Sequence, residues 1–342
     1  MSSDAPTGWR RLDPARWTRR GVCLALFSPA IFGLIALAVA AVLPEDQVWP
    51  HALKALLLAA PRNALALWPA VAAGLALRRR ELWPAAVLLG GLGALLAGAP
   101  LPGGVGQGYK LISANVNTFS DDPDPAHAAD VLAAEQADVV VVIERRVEQI
   151  PGMRRVADDF EQPMPRQSHA LAVFCREGLD CAARVTPHIG SETMKMPVGL
   201  VRLVSDAPLC LIAVHAPPPA PYDPSGIVPY VSEVAAHLAD GRLSQDWAPC
   251  QRGDAAVVAG DLNAVPYSTA WRALQATGMD TPLVRHGVAA NTWPSGGGWP
   301  NLPFFPLDHL FVGQADISGL RLLRVPGTDH KALVWWVAAR RG

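Results

Sequence analysis

The feature that most constrains this chain is an apolar segment near its start. Residues 21–43 (GVCLALFSPAIFGLIALAVAAVL) carry no charged side chain, and about 20 apolar residues suffice to cross the hydrocarbon core of a bilayer. A cleaved signal peptide is the alternative, because basic residues precede the segment. The run is longer than the core of a signal peptide, however, and further apolar segments follow. We therefore predict a transmembrane helix here.

Two further segments extend the predicted anchor. Residues 82–101 (LWPAAVLLGGLGALLAGAPL) are also uncharged and long enough to span. Residues 55–77 form a weaker candidate, because Pro61, Arg62 and Asn63 stand near its first turns and are costly at the bilayer centre. A re-entrant or interfacial helix is the alternative for that segment. Residues 21–101 are thus predicted to be an all-α transmembrane region of three helices.

The basic residues predict how this anchor is oriented. Five arginines lie in the N-terminal stretch of residues 1–20, and Arg78, Arg79 and Arg80 stand between the second and third spans. Basic flanks stay on the cytoplasmic side, and both clusters can lie there only if the chain crosses three times. That parity predicts a linker at residues 102–108 and places the domain at residues 109–342 outside the cytoplasm.

The charge balance limits the classes of substrate. Before Tyr109 there are 10 of the 29 Lys and Arg and 5 of the 30 Asp and Glu, which leaves 19 basic and 25 acidic residues from there on. Binding to duplex DNA depends on basic groups that neutralise phosphates, so nucleic acid is a poor candidate substrate. The later part also holds Cys175, Cys181, Cys210 and Cys250, which allow three pairings among which the sequence does not choose.

From Lys110 onward, short β-branched runs alternate with helical segments. Two segments have helical spacing, HAADVLAAEQ and STAWRALQATG, the second with Ser268 or Thr269 as its N-cap. Many strands with few helices predict an α/β (α+β) fold in which two packed sheets are flanked by helices. The predicted strands are LISANVN, ADVVVVIE, ALAVFCR, GLVRLVS, LCLIAVHA, DAAVVAGDLN, DHLFVG and KALVWWVAA.

Polar side chains cluster at the ends of these predicted strands. Strand ends are rigid, so groups placed there can converge on one pocket from distant positions. Carboxylate and amide oxygens suit Mg²⁺, and histidines beside carboxylates can move protons or stabilise anionic oxygen. We therefore predict a Mg²⁺ (or Mn²⁺) site for phosphoester hydrolysis. Its residues are Asn115, Glu144, His215, Asp261, Asn263, Asp308, Asp329 and His330, and Asn117, His169 and His309 are weaker candidates for the pocket lining.

The order of these motifs resembles the endonuclease/exonuclease/phosphatase superfamily, which includes DNase I-like nucleases, neutral sphingomyelinases and inositol phosphatases. The resemblance covers residues 109–342 and implies a four-layer α/β/β/α sandwich of the DNase I-like type. Its motifs are Asn115 in ANVN, Glu144 closing ADVVVVIE, His215 in AVHAPPP, the G-D-x-N motif at residues 260–263, Asp308 in LDHLFV, and Thr328, Asp329 and His330 in place of S-D-H.

The resemblance also implies the roles of the residues. Asp261 positions or deprotonates the attacking water, and His330, oriented by Asp308, acts as a base or, when protonated, offsets charge on the phosphoryl oxygens. Which of Asp261 and His330 takes the proton stays open. The implied metal ligands are Glu144, Asn115 and Asp329, and the implied catalytic residues are Asp261, His330, Asp308, Asn263, which fixes the phosphate, and His215, which contacts it.

Each motif also has a structural alternative. GDLN is typical of a strand-to-helix turn and TDH of a strand cap, while Glu144 could form a salt bridge and His215 could be a packing residue. Cys175 and Cys181 bracket a hairpin turn either as a disulfide or as buried thiols. Residues 292–306 (TWPSGGGWPNLPFFP) are either a surface loop or a lip that contacts lipid or an apolar substrate tail.

We predict a membrane-anchored, metal-dependent phosphoesterase that acts on a phosphoester or pyrophosphate of a lipid or envelope metabolite. The anchor followed by this domain is similar to bacterial proteins associated with glycopeptide resistance, and this resemblance implies polyprenyl pyrophosphate as a substrate. It also implies a bacterial inner membrane as the location, with the catalytic domain at residues 109–342 outside the cytoplasm. The alternatives are a sphingomyelinase-like phosphodiesterase, an extracytoplasmic nuclease, and a catalytically inactive scaffold or sensor. Membrane lipid is an expected partner, and no protein partner is predicted.

Overall fold

The structure is a computed structural model. Among the residues it describes, no helix is long and apolar enough to cross a membrane. The spans predicted at residues 21–43, 55–77 and 82–101 lie almost entirely outside the described residues, so the all-α anchor is not shown here and stays a prediction. The described residues are 35–36, 38–40, 42–43, 53–54, 56–59, 87, 101–103, 106–116, 125–145, 147–159, 170–186, 189–190, 195–218, 226–239, 241–243, 247–295 and 303–340.

The described part of the later domain consists of strands with four short helices. The helices are α1 (Pro125–Ala134), α2 (Ile227–Ala236), α3 (Thr269–Gln275) and a 3₁₀ helix at Val284–Ala290. The strands are β1 (Tyr109–Asn115), β2 (Val139–Glu144), β3 (Met153–Asp158), β4 (Ala170–Arg176), β5 (Cys181–Val185), β6 (Ile189–Gly190), β7 (Lys195–Met196), β8 (Val198–Leu203), β9 (Leu209–His215), β10 (Leu238–Ala239), β11 (Arg242–Leu243), β12 (Ala255–Asp261), β13 (Asp308–Gly313), β14 (Ala315–Arg324) and β15 (Lys331–Ala339).

The strands form two large sheets and one small hairpin. The first sheet has six strands in the order β14-β15-β1-β2-β4-β3. The second has seven, in the order β10-β11-β12-β9-β8-β5 with β13 also paired to β12, and β6 pairs with β7. Within these sheets β1 runs parallel to β2 and β9 runs parallel to β12. These two parallel pairs determine where the polar strand ends lie.

Side chains on the two faces of each sheet form three apolar clusters. One face of each sheet packs against the other sheet, as Leu111 and Val257 do. On the outer face of the first sheet, Ile112 packs in one cluster with Leu132 of α1, and on the outer face of the second sheet a third cluster includes Trp271 of α3. Burial on both faces explains why the strands are almost continuously apolar. The predicted fold, two sheets flanked by helices, is confirmed.

Local signals and disulfides complete the domain. The predicted N-cap of α3 is Ser268, whose hydroxyl accepts a hydrogen bond from the backbone N–H of Trp271 at 3.4 Å. The cysteines are paired as Cys175–Cys181 and Cys210–Cys250. Since Cys175 lies in β4 and Cys181 in β5, the first disulfide joins the two sheets.

Candidate active site

Strand direction brings the predicted site residues to one end of the two sheets. Because β1 and β2 are parallel and in register, Asn115 and Glu144 end neighbouring strands at the same edge. The parallel pair of β9 and β12 places His215 opposite Asp261. The antiparallel strand β13 begins at this edge, where Asp308 pairs with Asp261, and the antiparallel β15 begins there as well. Carboxylates and histidines from distant parts of the chain therefore meet.

Asn115 lies at the centre of this group. Its Nδ2 donates to Glu144 Oε1 at 2.9 Å and to Asp261 Oδ2 at 3.0 Å, and its side chain is buried. Its backbone carbonyl accepts a hydrogen bond from the Thr328 hydroxyl at 2.7 Å, which joins β1 to the segment before β15. The amide oxygen Oδ1 is buried and accepts no hydrogen bond from the described residues. A buried acceptor of this kind is satisfied by a ligand such as a cation.

Glu144 connects Asn115 to His215. Its backbone has a positive φ of 72°, which is uncommon outside glycine and is found where a site fixes a side chain. The Glu144 carboxylate lies 3.3 Å from His215 Nε2. Burial acts to raise the pKa of Glu144, but the hydrogen bond and charge of His215, with help from His330 and Asn115, outweigh burial and lower it. Glu144 is thus ionised at neutral pH.

Asp308 and His330 form a buried pair beside Asp261. His330 Nδ1 lies 2.8 Å from Asp308 Oδ2, and His330 Nε2 lies 3.8 Å from Asp261 Oδ2. Burial disfavours the charged imidazole, but the carboxylates of Asp308 and Asp261 outweigh it and raise the pKa of His330 to about 10. Burial raises the pKa of Asp261 to about 6, against the attraction of His330. At pH 7 the histidine is charged and Asp261 is largely ionised.

The remaining residues of the GDLN motif and its neighbours hold the backbone of the site. The backbone N–H of Asn263 donates to Asp261 Oδ1 at 2.7 Å, and its side-chain Nδ2 donates to the carbonyl of Ala216 at 2.8 Å. Asn263 therefore fixes Asp261 and the segment after β9. His309 does not join the group, since its Nε2 lies 2.7 Å from the carbonyl of Ala264. The weaker candidates Asn117 and His169 lie outside the described residues.

Asp329 occupies a different position from the other carboxylates. It falls in neither of the two groups of converging ligand atoms found among the described residues. Its Oδ2 accepts a hydrogen bond from the indole Nε1 of Trp293 at 2.8 Å, and its backbone carbonyl accepts one from the N–H of Ser295 at 2.6 Å. Asp329 adds to the field that raises the pKa of His330. It therefore lies next to the site and is held by residues 293–295.

Sequence reasoning did not assign site roles to Thr292 and Trp293. The Thr292 hydroxyl accepts hydrogen bonds from the backbone N–H groups of Leu307 and Asp308, both at 3.2 Å, and its carbonyl accepts one from Lys331 N–H at 3.0 Å. The sequence signal was the run TWPSGGGWPNLPFFP, which leads directly into Asp308. Its composition indicated a loop or lip and gave no sign of these hydrogen bonds.

The donor set fits a divalent cation. Ligand atoms of Glu144, His215 and Asp261 lie within 4.8 Å of one another, as do those of Asp261, Asp308 and His330. The first group has the unpartnered Oδ1 of Asn115 beside it. Two carboxylates and an amide oxygen are the hard ligands that Mg²⁺ and Mn²⁺ take. In the second group, charged His330 occupies the space between its carboxylates, so the first group is the candidate metal site.

Comparison with known proteins decides the family. The sequence model of the Endonuclease/Exonuclease/phosphatase family matches residues 112–330, which contain every residue of both groups. The chain belongs to this family. Its members, as the family name states, cleave phosphoester bonds, so hydrolysis of such bonds is the reaction class of this chain and its mixed α/β sandwich is of the DNase I-like type.

Solved structures with similar folds share little sequence identity with this chain. A conserved protein from Enterococcus faecalis is 14% identical, with a TM-score of 0.49, over 68% of this chain and 100% of its own. A mannosyl-6-phosphatase from Bacteroides thetaiotaomicron is 12% identical, with a TM-score of 0.48, over 67% and 99%. The human Nocturnin catalytic domain is 12% identical, with a TM-score of 0.48, over 69% and 96%. A comparison with curated proteins returned no match.

Proposed function

We propose that this chain is a membrane-anchored phosphoesterase that uses Mg²⁺ or Mn²⁺ to hydrolyse a phosphoester or pyrophosphate on a lipid or envelope metabolite, outside the cytoplasm. The observation that carries the proposal is that Asp261 belongs to both ligand groups. One carboxylate thus stands between a candidate metal site and a charged histidine. A phosphoryl group bound there would be contacted by the metal ion on one side and by the His330 imidazolium on the other. Phosphoryl transfer needs positive charge of this kind to stabilise the phosphoryl oxygens.

The metal would be held by Glu144 and Asn115, next to Asp261. Glu144 supplies a carboxylate that is ionised at neutral pH, and Asn115 supplies its unpartnered Oδ1. Asp329 is the third ligand that the family resemblance implies, and it would help to hold the metal directly or through water. When bound, the cation supplies charge neutralisation on the phosphoryl oxygens. His215, at 3.3 Å from Glu144, orients that carboxylate and donates to the phosphate.

The protonation states favour Asp261 as the proton acceptor. With a pKa of about 6, Asp261 is ionised at neutral pH and can take the proton of the attacking water. With a pKa of about 10, His330 already carries its proton at that pH and cannot accept another. His330 therefore stabilises negative charge on the phosphoryl oxygens, while Asp308 holds its ring in place through Nδ1.

The cysteines and the exposed apolar side chains support an anchored, extracytoplasmic protein. All four cysteines after Tyr109 are in disulfides, and disulfides persist outside the reducing cytoplasm. Among the described residues, the exposed large apolar side chains fall mostly in the predicted spans rather than in the catalytic domain. Those in the predicted anchor region are Ile35, Val39, Val42, Leu53, Leu56 and Val87.

A lipid fits the surroundings of the site better than nucleic acid does. From Tyr109 on, acidic residues outnumber basic ones, 25 to 19, and a duplex needs basic groups along its phosphates. Phe304 belongs to the aromatic segment that precedes Asp308, and its backbone N–H donates to the carbonyl of Trp293 at 2.9 Å. Its side chain is 48% exposed. An exposed aromatic ring beside a phosphoester site suits an acyl or polyprenyl chain. The resemblance to bacterial proteins associated with glycopeptide resistance makes polyprenyl pyrophosphate the first lipid to test.

The test is turnover by the full-length chain purified in detergent, with Mg²⁺ or with EDTA. The substrates are polyprenyl pyrophosphate, phosphatidic acid, sphingomyelin, a phosphoinositide and plasmid DNA, read by phosphate release, choline release and nicking. Glu144→Ala removes a ligand of the candidate metal site, and His330→Ala removes the charged imidazole. Asp316→Ala is the matched control, since Asp316 is an exposed carboxylate paired with Arg340 near the opposite end of β15.

Metal-dependent turnover of a lipid that is lost in both site variants and kept in the control supports the proposal. Turnover of plasmid DNA alone replaces the lipid with nucleic acid. No turnover of any substrate favours the inactive scaffold. The location is tested by adding protease to intact spheroplasts. Digestion of the catalytic domain without permeabilisation supports the extracytoplasmic side, and protection overturns it.

A further inference from the structure

We infer that Trp293 is a positioning residue for the phosphoesterase site, and that its indole N–H orients the carboxylate of Asp329. The inference rests on the proposed function, because Asp329 is taken as a ligand of the metal. The Trp293 Nε1 to Asp329 Oδ2 distance is 2.8 Å, within the range of a strong hydrogen bond to a charged acceptor. The two residues are 36 positions apart in sequence.

The indole is itself held in place by the backbone around it. Trp293 and Phe305 exchange backbone hydrogen bonds in both directions, at 3.0 and 2.8 Å, and their rings are in tilted contact with centroids 5.8 Å apart. The neighbouring Thr292 binds the backbone at Asp308 and Lys331. Because the backbone and the ring of Trp293 are both held in place, its indole N–H can keep a carboxylate in one orientation. A residue that orients a metal ligand from outside the coordination shell has this task.

The position of Asp329 explains why its orientation matters. The residue stands between Thr328, which binds the backbone of Asn115, and His330, which pairs with Asp308. The Ser295 N–H, two residues from the indole, binds the Asp329 carbonyl at 2.6 Å. Trp293 thus binds the side chain of Asp329, and Ser295 binds its backbone. Rotation of that carboxylate would remove a metal ligand and would change the field at His330.

Two substitutions separate the N–H group from the bulk of the ring. Trp293→Phe keeps an aromatic ring and loses the donor. Trp293→His keeps an N–H at the equivalent vertex of a five-membered ring and loses the fused benzene ring. A purely structural role predicts that Phe is the better substitute, because it preserves more buried apolar area. A positioning role predicts that His is the better substitute.

The full-length variants are compared by Mn²⁺ binding in calorimetry, by thermal unfolding in EDTA, and by hydrolysis of bis(p-nitrophenyl) phosphate with Mg²⁺. For Trp293→Phe we expect Mn²⁺ affinity and kcat to fall about 10-fold or more, the usual effect of losing a partner of a metal ligand, with KM changed less than about 2-fold. For Trp293→His we expect both to stay within about 3-fold of wild type, despite a lower melting temperature. In an Asp329→Ala background, which has no acceptor for the indole N–H, Trp293→Phe should have no further effect.

The outcomes distinguish this inference from the proposed function. Wild-type protein that binds no Mn²⁺ and shows no metal-dependent turnover overturns the proposed function and, with it, the role of Trp293. If wild type binds Mn²⁺ and turns over substrate while Trp293→Phe equals it or exceeds Trp293→His, the positioning role alone is overturned. Additive effects of Trp293→Phe and Asp329→Ala would also contradict it, since they would show that the two groups act separately.

Discussion

Replacing Asp308 with asparagine tests the charge assignment at the centre of the proposed mechanism. Asp308 is fully buried, and its Oδ2 lies 2.8 Å from His330 Nδ1. Asparagine has nearly the same shape, so Asp308→Asn removes the negative charge and leaves the packing of β13 intact. It also presents an amide that can face the imidazole with either its oxygen or its nitrogen. The main change is the free energy of the protonated form of His330.

The magnitude follows from the pKa of His330. Raising that pKa from 6.5 to about 10 corresponds to about 5 kcal/mol of net stabilisation of the imidazolium, at 1.36 kcal/mol for each pKa unit. Of the three carboxylates that produce this rise, Asp308 contributes most, ahead of Asp261 and Asp329. If Asp308 supplies half of it, the substitution disfavours the charged histidine by about 2–3 kcal/mol, or roughly 50-fold. The pKa of His330 then falls from about 10 to about 8.

The assay is the pH dependence of kcat/KM between pH 5.5 and 9.5 with Mg²⁺ and bis(p-nitrophenyl) phosphate, for wild type, Asp308→Asn and His330→Ala. Wild type should keep its activity to the alkaline end, because His330 stays charged. Asp308→Asn should lose activity as pH rises above about 8, by about 3-fold at pH 8.5 and about 15-fold at pH 9.5 relative to its activity at neutral pH. His330→Ala should be weak at every pH and lack this alkaline decline.

An Asp308→Asn enzyme whose activity declines at the same alkaline pH as wild type would refute this reasoning. It would mean that Asp308 does not maintain the charge on His330. An Asp308→Asn enzyme that gains activity with rising pH would also refute the reasoning, because it would identify neutral His330 as the base. Melting temperatures of the three proteins in EDTA control for unfolding.

Three further predictions follow from the same structure. Glu144→Gln should weaken Mn²⁺ binding in calorimetry by more than the roughly 10–100-fold typical of partners outside the metal shell, with an unchanged melting temperature in EDTA; retained affinity would remove Glu144 from the metal site. Burial raises the pKa of Asp159 from 3.8 to about 6, so its folded pKa lies above its unfolded one, and the stability it contributes is complete below about pH 4 and is lost as pH rises through 6. Asp159→Asn can still accept the hydrogen bond of Leu171 N–H and should be more stable than wild type by about 2–3 kcal/mol at pH 7.5 and equal to it near pH 4; urea unfolding at both pH values checks this, and an equal gain at both would contradict it. Cys210→Ser opens a loop of 40 residues and Cys175→Ser a loop of 6, so we expect losses of about 4 and about 2 kcal/mol in the same assay, and the reverse order would contradict the pairing.

Much of the catalytic domain could be predicted because the relevant signals are local. Strand β2 reads VVVVIE and is buried at every position up to Glu144, so its sequence alone indicates a strand covered on both faces. Strand β14 was not among the predicted strands. Its sequence, ADISGLRLLR, has mixed burial and a register shift between Ile317 and Gly319, which removes the regular alternation that marks a strand. Helix α2 was also missed, because Pro229 interrupts its pattern.

Some residues of the candidate site could likewise be recognised in the sequence, and others could not. Polar residues that end apolar runs, such as Asn115, Glu144 and Asp261, could be recognised in the sequence because each stands at a strand terminus. The metal-ligand role of Asp329 and the location of the three spans stay predictions, the latter because residues 21–101 lie almost wholly outside the described structure. The contribution of Trp293 gave no local signal, since its partner is distant in sequence and its neighbours read as loop.

The sequence by itself determined the order of the motifs, the strand ends that carry them and the apolar runs that bury those strands, because each is encoded within a few neighbouring residues. Only the tertiary structure decided which groups share a proton or a hydrogen bond. Asn115 reaches Asp261 across 146 positions, and the cysteine pairing and the Trp293–Asp329 bond likewise depend on strand direction and register. Contacts of that range are set by how the sheets pair and pack, and a local pattern of residues does not contain that information.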